Sequence, residues 1–505
     1  MQNIMKYKQE EYHTLAEYYL DMACKNLPVV NQAISKYGDV SLSDYLQNFI
    51  HKAKPSYQQQ DDFLEAVHRY AAPLLGESLA QQTVRDLAAN PVVLTSNHLG
   101  VEYSFQSIQG SIFFSLNPIA GNSSATTVPV FSFGNISLNN PTYPRGVVLY
   151  HVNSDKLDQM PVKLPIFPDR SKNQIAGVAP PFDRAMIRRA EARLGILVQN
   201  KRVFRKVADT MQEIFQEAYS DDSVMALPDY SQQSVVLNRR IWKQLFSDPS
   251  MIPELAYLEI EKIAEMILIS DLFDPKSLAW LVMFDPDLRQ HIFEALDGIR
   301  NGKAIFFWGI DERGKSFNLE MGYLGNNEIL RGVDARGKVW EIPFTPQSII
   351  DGLNKKRLMP SLFTCFLTLS FARGVICVGG YFQAEYLPAM QHGIVTALQK
   401  TGYNDIAHLV AQVPTDCYLS GMSGIMTKTE DDCLIPAGSA EIIAGGGITD
   451  KDIEQMLSLT VREAHIAGLF ETVPDIVPKE LCVPGRKKEL ASDCHRLLEG
   501  KMVLK

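Results

Sequence analysis

The sequence predicts an α/β protein with mostly parallel strands, and three observations carry that expectation. The apolar run Val92, Val93, Leu94 ends in a polar cluster, Thr95, Ser96, Asn97 and His98, with Gly100 allowing a turn. A second run, VICV, ends in Gly379 and Gly380 and opens at once into Tyr381, Gln383, Glu385 and Tyr386. Between and around these runs lie long stretches with apolar residues three and four apart, the period of amphipathic helices. Buried strand, polar turn and helix start form the repeating unit of open α/β sheets, whose ligands sit beyond the carboxyl ends of the strands.

A chain of 505 residues is too long for one ordinary core, so two or three domains are expected. Residues 1–89 read as an N-terminal helical region from Tyr7 onward, an all-helical cap or dimerisation layer; a homodimer is the partner arrangement this layer would serve. His13, His51 and His68 lie in it without a second metal ligand at helical spacing. Residues 90–182 form the first part of the α/β core, with a strand at Val92–Leu94, a helix expected from near Leu99, and strands in VPVFSFGNISL and GVVLYHV. Residues 183–302 read as a helical insertion broken at LPDY, SDPS, FDPK and FDPD, where Asp and Pro signal turns and helix starts. Residues 303–400 combine a small β-meander, period two from Ala304 to Phe344, with the second part of the core. Thr345 and Pro346 mark a capped helix start there. Residues 401–505 are mainly helical, and Gly445 to Gly447 read as a turn before a helix capped by Thr449.

Composition removes several classes. A net charge of −9 without a basic stripe argues against a nucleic-acid partner. The apolar stretch Ser361 to Phe382 carries Arg373 and three glycines, so it reads as a buried helix followed by a buried strand and not as a membrane span. The N-terminus lacks a secretory h-region, and seven scattered cysteines without a CxxC pair fit reduced thiols, so a cytoplasmic location is expected. No metal-ligand spacing, P-loop, GxSxG elbow, HExxH or GxGxxG is present.

The candidate site is therefore built from single residues. His98 is either a general acid/base or phosphate donor on a helix-entry loop, or a cap, a role Asn97 and Thr95 fill equally well. With a helix from Leu99, Glu102, Gln106 and Gln109 would share one face, either solvent or the wall of a cleft. Beyond the second strand come Asn135, Ser137, Asn139 and Asn140. Arg145, Lys163 and Arg170 supply positive charge for a carboxylate or phosphate, or else surface ion pairs. Gln383, Glu385 and Tyr386, beside Gly379 and Gly380, suit a substrate amine or ribose hydroxyls, with a helix-dipole role for the acid as the alternative. Cys377, inside a strand, is read as a packed hydrophobe. The two strand-turn-helix elements are expected to face one cleft.

The order of VVLTSNHLG, VPVFSFGNISLNN, KAIFFWGIDERGKSFNL with TPQSIIDGL, and LMPSLFTCFLTLSFARGVICVGGYFQAEYL resembles that of the bacillithiol-biosynthesis cysteine-adding enzyme family over about half the chain. The resemblance implies a Rossmann-like, mostly parallel sheet with large helical insertions. It implies a biosynthetic, ligase-type reaction joining an amino acid to a small carboxylate- or sugar-containing acceptor, with ATP or another nucleotide as cofactor. On that scheme Asn97 and His98 meet an oxyanion or phosphate, Arg145 a carboxylate, Gln383 and Glu385 an amine or ribose, and Gly379 and Gly380 the cofactor. Glu102, Gln106, Asn139, Lys163, Arg170 and Tyr386 complete the expected substrate contacts. A sugar-phosphate or nucleotide-sugar transferase, and a non-enzymatic ligand-binding or scaffold protein, are the competing expectations.

Overall fold

A computed structural model describes residues 12–50, 61–121, 123–150, 154–300 and 305–505. The expected helix start at Tyr7, His51, the last residues of the GVVLYHV strand and Ala304 lie outside the described residues.

At the centre is a five-stranded, all-parallel sheet. In chain order its elements are β1 (Val92–Leu94), helix α1 (Phe105–Ile119), β2 (Thr127–Ser132), β3 (Glu254–Glu259), helix α2 (Ile260–Asp271), β4 (Ile376–Gly380), helix α3 (Tyr381–Lys400), β5 (Tyr418–Ser420) and helix α4 (Val461–Ile476). Across the sheet the order is β5, β4, β1, β2, β3. The chain thus starts in the middle, moves outward through β2 to β3, then returns to the other side of β1. β1 is apolar on both faces because both are covered, as parallel sheets require. Its residues Val92, Val93 and Leu94 register with Ile376, Cys377 and Val378, and Leu94 also opposes Val130.

Two expectations change here. β3 falls where a helical insertion was expected. ELAYLE is followed directly by the helix IEKIAEMILISD with no glycine or proline between them, so the strand is hidden in a helical pattern; pairing with β2 over Thr127–Ser132 fixes it as a strand. Helix α1 begins at Phe105 and not near Leu99. The segment before it spends its backbone groups elsewhere: Leu99 N–H donates to the Phe133 carbonyl (2.8 Å), Asn238 donates to the Gly100 carbonyl (2.7 Å) and Glu102 N–H donates to Asn238 Oδ1 (2.8 Å). Glu102 therefore precedes the helix and does not share its face with Gln106 and Gln109.

The strand in GVVLYHV forms at Gly146–Leu149, but it pairs antiparallel with Val162–Pro165 outside the central sheet. The expected meander divides in two. Phe307–Ile310 pairs with Ser316–Phe317 and Leu358–Pro360, while Glu320–Leu324, Asn327–Val333 and Val339–Pro343 form a separate sheet. Among the described residues, five N-terminal helices between Leu15 and Ala89 form as expected, as do the helices capped by Thr345 and Thr449. One buried apolar cluster extends from Leu15 to Val503. No helix among the described residues is long and apolar enough to cross a membrane.

Arg373, inside the longest apolar stretch, ties three layers together. Its Nε donates to Asp62 Oδ1 (3.0 Å) in the helix Asp61–Leu75, its other nitrogens to Asp271 at the end of α2 (2.9 and 3.0 Å), and one also to the Thr368 carbonyl (3.0 Å). Burial alone would raise the Asp62 carboxyl, but the guanidinium overrides it and holds the group below its ordinary value. That contribution to stability is present above the unfolded carboxylate range and is lost as pH falls through the lowered folded value. Replacing Arg373 with Met leaves Asp271 buried and uncompensated, so chemical denaturation at neutral pH should show a loss of about 3 to 5 kcal/mol.

Candidate active site

The carboxyl ends of all five parallel strands open onto one cavity of about 600 Å³. Thr95, Ser96 and His98 come from the loop after β1, Phe133 and Asn135 from that after β2, and Glu261 from the start of α2. Gly380, Tyr381, Gln383 and Tyr386 come from the β4–α3 turn, and Ser420 and Gly421 from the end of β5. Trp308 and Phe363 close the wall opposite, and Thr472 and Asp475 of α4 lie at the β5 end. The chain reverses its order between β1 and β4, and at such a switch point two neighbouring loops turn apart and leave a crevice.

The two polar clusters read from the sequence do meet here, and they are bonded to each other. Gln383 Nε2 donates to Thr95 Oγ1 (2.7 Å) and to the Cys377 carbonyl (3.2 Å). The Gln383 side chain folds back over Gly379, where an added Cβ would lie 2.3 Å from it. Gly379 is thus a packing requirement beneath the cavity, whereas Gly380 lines it.

His98 is held by its backbone and its ring. Thr95 N–H extends the β1 pairing to the Val378 carbonyl (2.8 Å), and Phe133 N–H donates to the Asn97 carbonyl (2.9 Å). The ring Nδ1 lies 3.1 Å from Asn140 Oδ1 and 3.2 Å from Thr142 Oγ1. Asn140 Oδ1 already accepts from Thr142 N–H (3.1 Å) and Thr142 Oγ1–H (3.0 Å), so it is the acceptor and His98 Nδ1 carries the proton. Nε2 then presents a lone pair and has no protein partner among the described residues. Burial pushes the imidazole below its ordinary value, with Asn140 opposing, so the ring is neutral near pH 7.

Beneath this loop lies a carboxyl whose ionisation burial opposes. Tyr257 Oη stands 2.9 Å from the His98 carbonyl and 2.8 Å from Glu102 Oε1. The hydroxyl has one proton, and both the His98 carbonyl and the Glu102 carboxyl accept from it. Burial pushes Glu102 up to about 7, against smaller opposing effects from Tyr257, Ser107 and Asn97. At the β3 end, Glu261 accepts from Gly134 N–H (2.8 Å) and Asn135 N–H (2.9 Å), and Glu259 behind it accepts from Ser231 Oγ. Burial raises both carboxyls, Glu261 adds to the rise at Glu259, and the Lys262 charge opposes it at both.

Of the residues expected from the sequence, His98, Gln106, Gly380, Gln383 and Tyr386 line the cavity. Asn97 and Glu102 are buried and are not among its lining residues. Gln109 is consumed by structure, donating to the Ile425 and Ala437 carbonyls and accepting from Gly424 and Ile425 N–H. Arg145 is buried elsewhere against the Phe167 carbonyl (3.0 Å) and Asp169. Lys163 lies over the Tyr143 ring at 5.1 Å, and Arg170 and Asn139 are exposed away from the cavity. Glu385 points off the site, its Oε1 accepting from Val29 N–H (2.7 Å) to cap the helix Pro28–Tyr37, which begins with a proline and has no side-chain cap of its own. Tyr381 of the second polar cluster also lines the cavity, whereas sequence reasoning missed Glu261, Ser420 and Asp475. The Glu-x-Glu ending of ELAYLEIE was the available signal for Glu261.

No family model, curated protein or solved structure matches the chain. The nucleotide implied by the sequence resemblance can be tested against the lining. Among the described residues no lysine or arginine lines the cavity, while Glu261 and Asp475 do. Uncapped N–H groups at the start of α3 suit a single oxyanion. The residues do not fit a triphosphate.

Glu102→Gln tests the protonated carboxyl. A folded value near 7 against an ordinary 4.5 costs the wild type about 3 kcal/mol of stability as pH rises from the unfolded to the folded value. Denaturation across that range should therefore show E102Q gaining on the wild type as pH rises; parallel curves would place the proton elsewhere.

Proposed function

We propose that the protein is a Rossmann-like enzyme of the transferase type, acting on a small molecule by general acid–base chemistry at His98. The observation that carries this is the fixed neutral imidazole, Nδ1 bonded to Asn140 and Nε2 open, at the reversal of strand order. Nε2 takes the proton from an incoming amine or hydroxyl as it attacks a carbonyl-type centre of an activated donor, and returns it to the donor's leaving group as the adduct collapses and that bond breaks. The free N–H groups at the start of α3 stabilise the oxyanion that develops, and they are in place before reaction. The Thr95–Gln383 bond keeps these two elements in register. The strand order β3, β2, β1, β4, β5 and the convergence of the strand ends support the Rossmann-like reading. Free thiols at all seven cysteines support a cytosolic setting.

Mass spectrometry of small molecules carried through native purification should identify a ligand, and the same ligand should be retained by His98→Gln. Turnover of that ligand with its co-substrate should fall by about 10²- to 10⁴-fold in H98Q. Unchanged turnover would remove His98 from the chemistry.

A further inference from the structure

The cavity has a direction and a chemical polarity. It runs along the carboxyl edge of the sheet from Glu261 after β3 to Ser420 and Gly421 after β5, and four strand spacings make that about 19 Å. A volume of about 600 Å³ over this length describes a narrow slot. Rings of Phe133, Trp308, Phe363 and Tyr386 border it, and rings attract cations through their negative faces.

At the β3 end, the polar atoms without side-chain partners are acceptors. Glu261 is 1% exposed and receives only the two backbone N–H groups; among the described residues no cationic side chain is paired with it. The nearby Lys262 is bonded to Glu265 at 2.8 Å; its charge favours ionised Glu259 and Glu261, but it donates no hydrogen bond to either. Asn135 Oδ1 is buried without a partner beside Glu261, and Glu259 Oε1 is in the same condition behind it. What these acceptors lack is a group that donates several hydrogen bonds and accepts none. An alkylammonium has three donors and no acceptor.

Resting on the reading of this cavity as the substrate site, we propose that it selects a primary amine carried on an extended apolar chain or ring, with the ammonium seated between Glu261 and Asn135. The apolar body lies along the aromatic slot toward His98. A carboxylate or phosphate at the same end would meet Glu261 and the Asn135 oxygen, which is repulsive; a neutral alcohol would satisfy one acceptor and leave the other unpaired.

The test uses hexylamine, hexanol and hexanoate as size-matched probes on the full chain, with binding measured by calorimetry up to ~10 mM, above the weak millimolar range. Hexylamine should bind at least tenfold tighter than either of the others. Glu261→Gln should erase most of that preference. Because Glu261 also holds two backbone N–H groups, Asn135→Leu is the companion variant: its side-chain oxygen bonds nothing, so the fold should be intact and the amine weakened severalfold. Ile136→Trp, which fills the slot, should abolish hexylamine binding. Preference for hexanoate or hexanol that is lost in I136W would overturn the amine assignment and leave the cavity as the ligand site. Amine binding that survives I136W, or no amine binding at all, would overturn the proposal outright.

Discussion

A strand of three residues holds the site together. Val92, Val93 and Leu94 pair with β4 on one side, and Leu94 opposes β2 on the other. So short a strand would be marginal alone, but here both faces are buried and both edges are bonded. The pairing extends past its end through Thr95 to Val378 and through Asn97 and Leu99 to Phe133. The loop carrying His98 is therefore an extension of the sheet and not a free turn. Its ring is fixed by Asn140 and its carbonyl by Tyr257. Any slip of β1 against β4 would break the Thr95–Gln383 bond and separate the base from the start of α3.

The same region concentrates carboxyls whose ionisation burial opposes and a bound cation would favour. Glu102, Glu259 and Glu261 are all fully or nearly fully buried around the carboxyl ends of β1 to β3, and none has an ion-pair partner among the described residues. Elsewhere buried charge is answered, as in Arg373 with Asp62 and Asp271, or Lys487 with Glu471. Leaving carboxyls unanswered is destabilising unless they are protonated or meet a ligand. Glu102 is resolved internally, through Tyr257. Glu261 is not, and it is the one that faces the cavity.

The fold was legible wherever composition changed abruptly. VVL into TSNH, and VICV into GGYFQ, mark strand ends because apolar and polar residues cannot share one environment, and both mark the cavity. Thr345 and Thr449 were readable because capping chemistry is local. β3 was not readable, because its apolar residues continue into α2 without a turn and only the six-residue ladder with β2 distinguishes strand from helix. Site residues failed for a related reason. Arg145 and Glu385 carry the right charges, but the Phe167 carbonyl with Asp169, and Val29 N–H, consume them. Those partners are distant in sequence, up to 356 residues for Glu385, and no local pattern announces them.

The most direct measurement of the central claim is the imidazole ¹⁵N spectrum of His98, assigned by its loss in H98Q. The account predicts a neutral ring at pH 7 with the proton on Nδ1, an unprotonated Nε2, and a titration midpoint below that of an ordinary histidine. A proton on Nε2, or an imidazolium at neutral pH, would contradict it, because the nitrogen facing the cavity could then no longer act as the base.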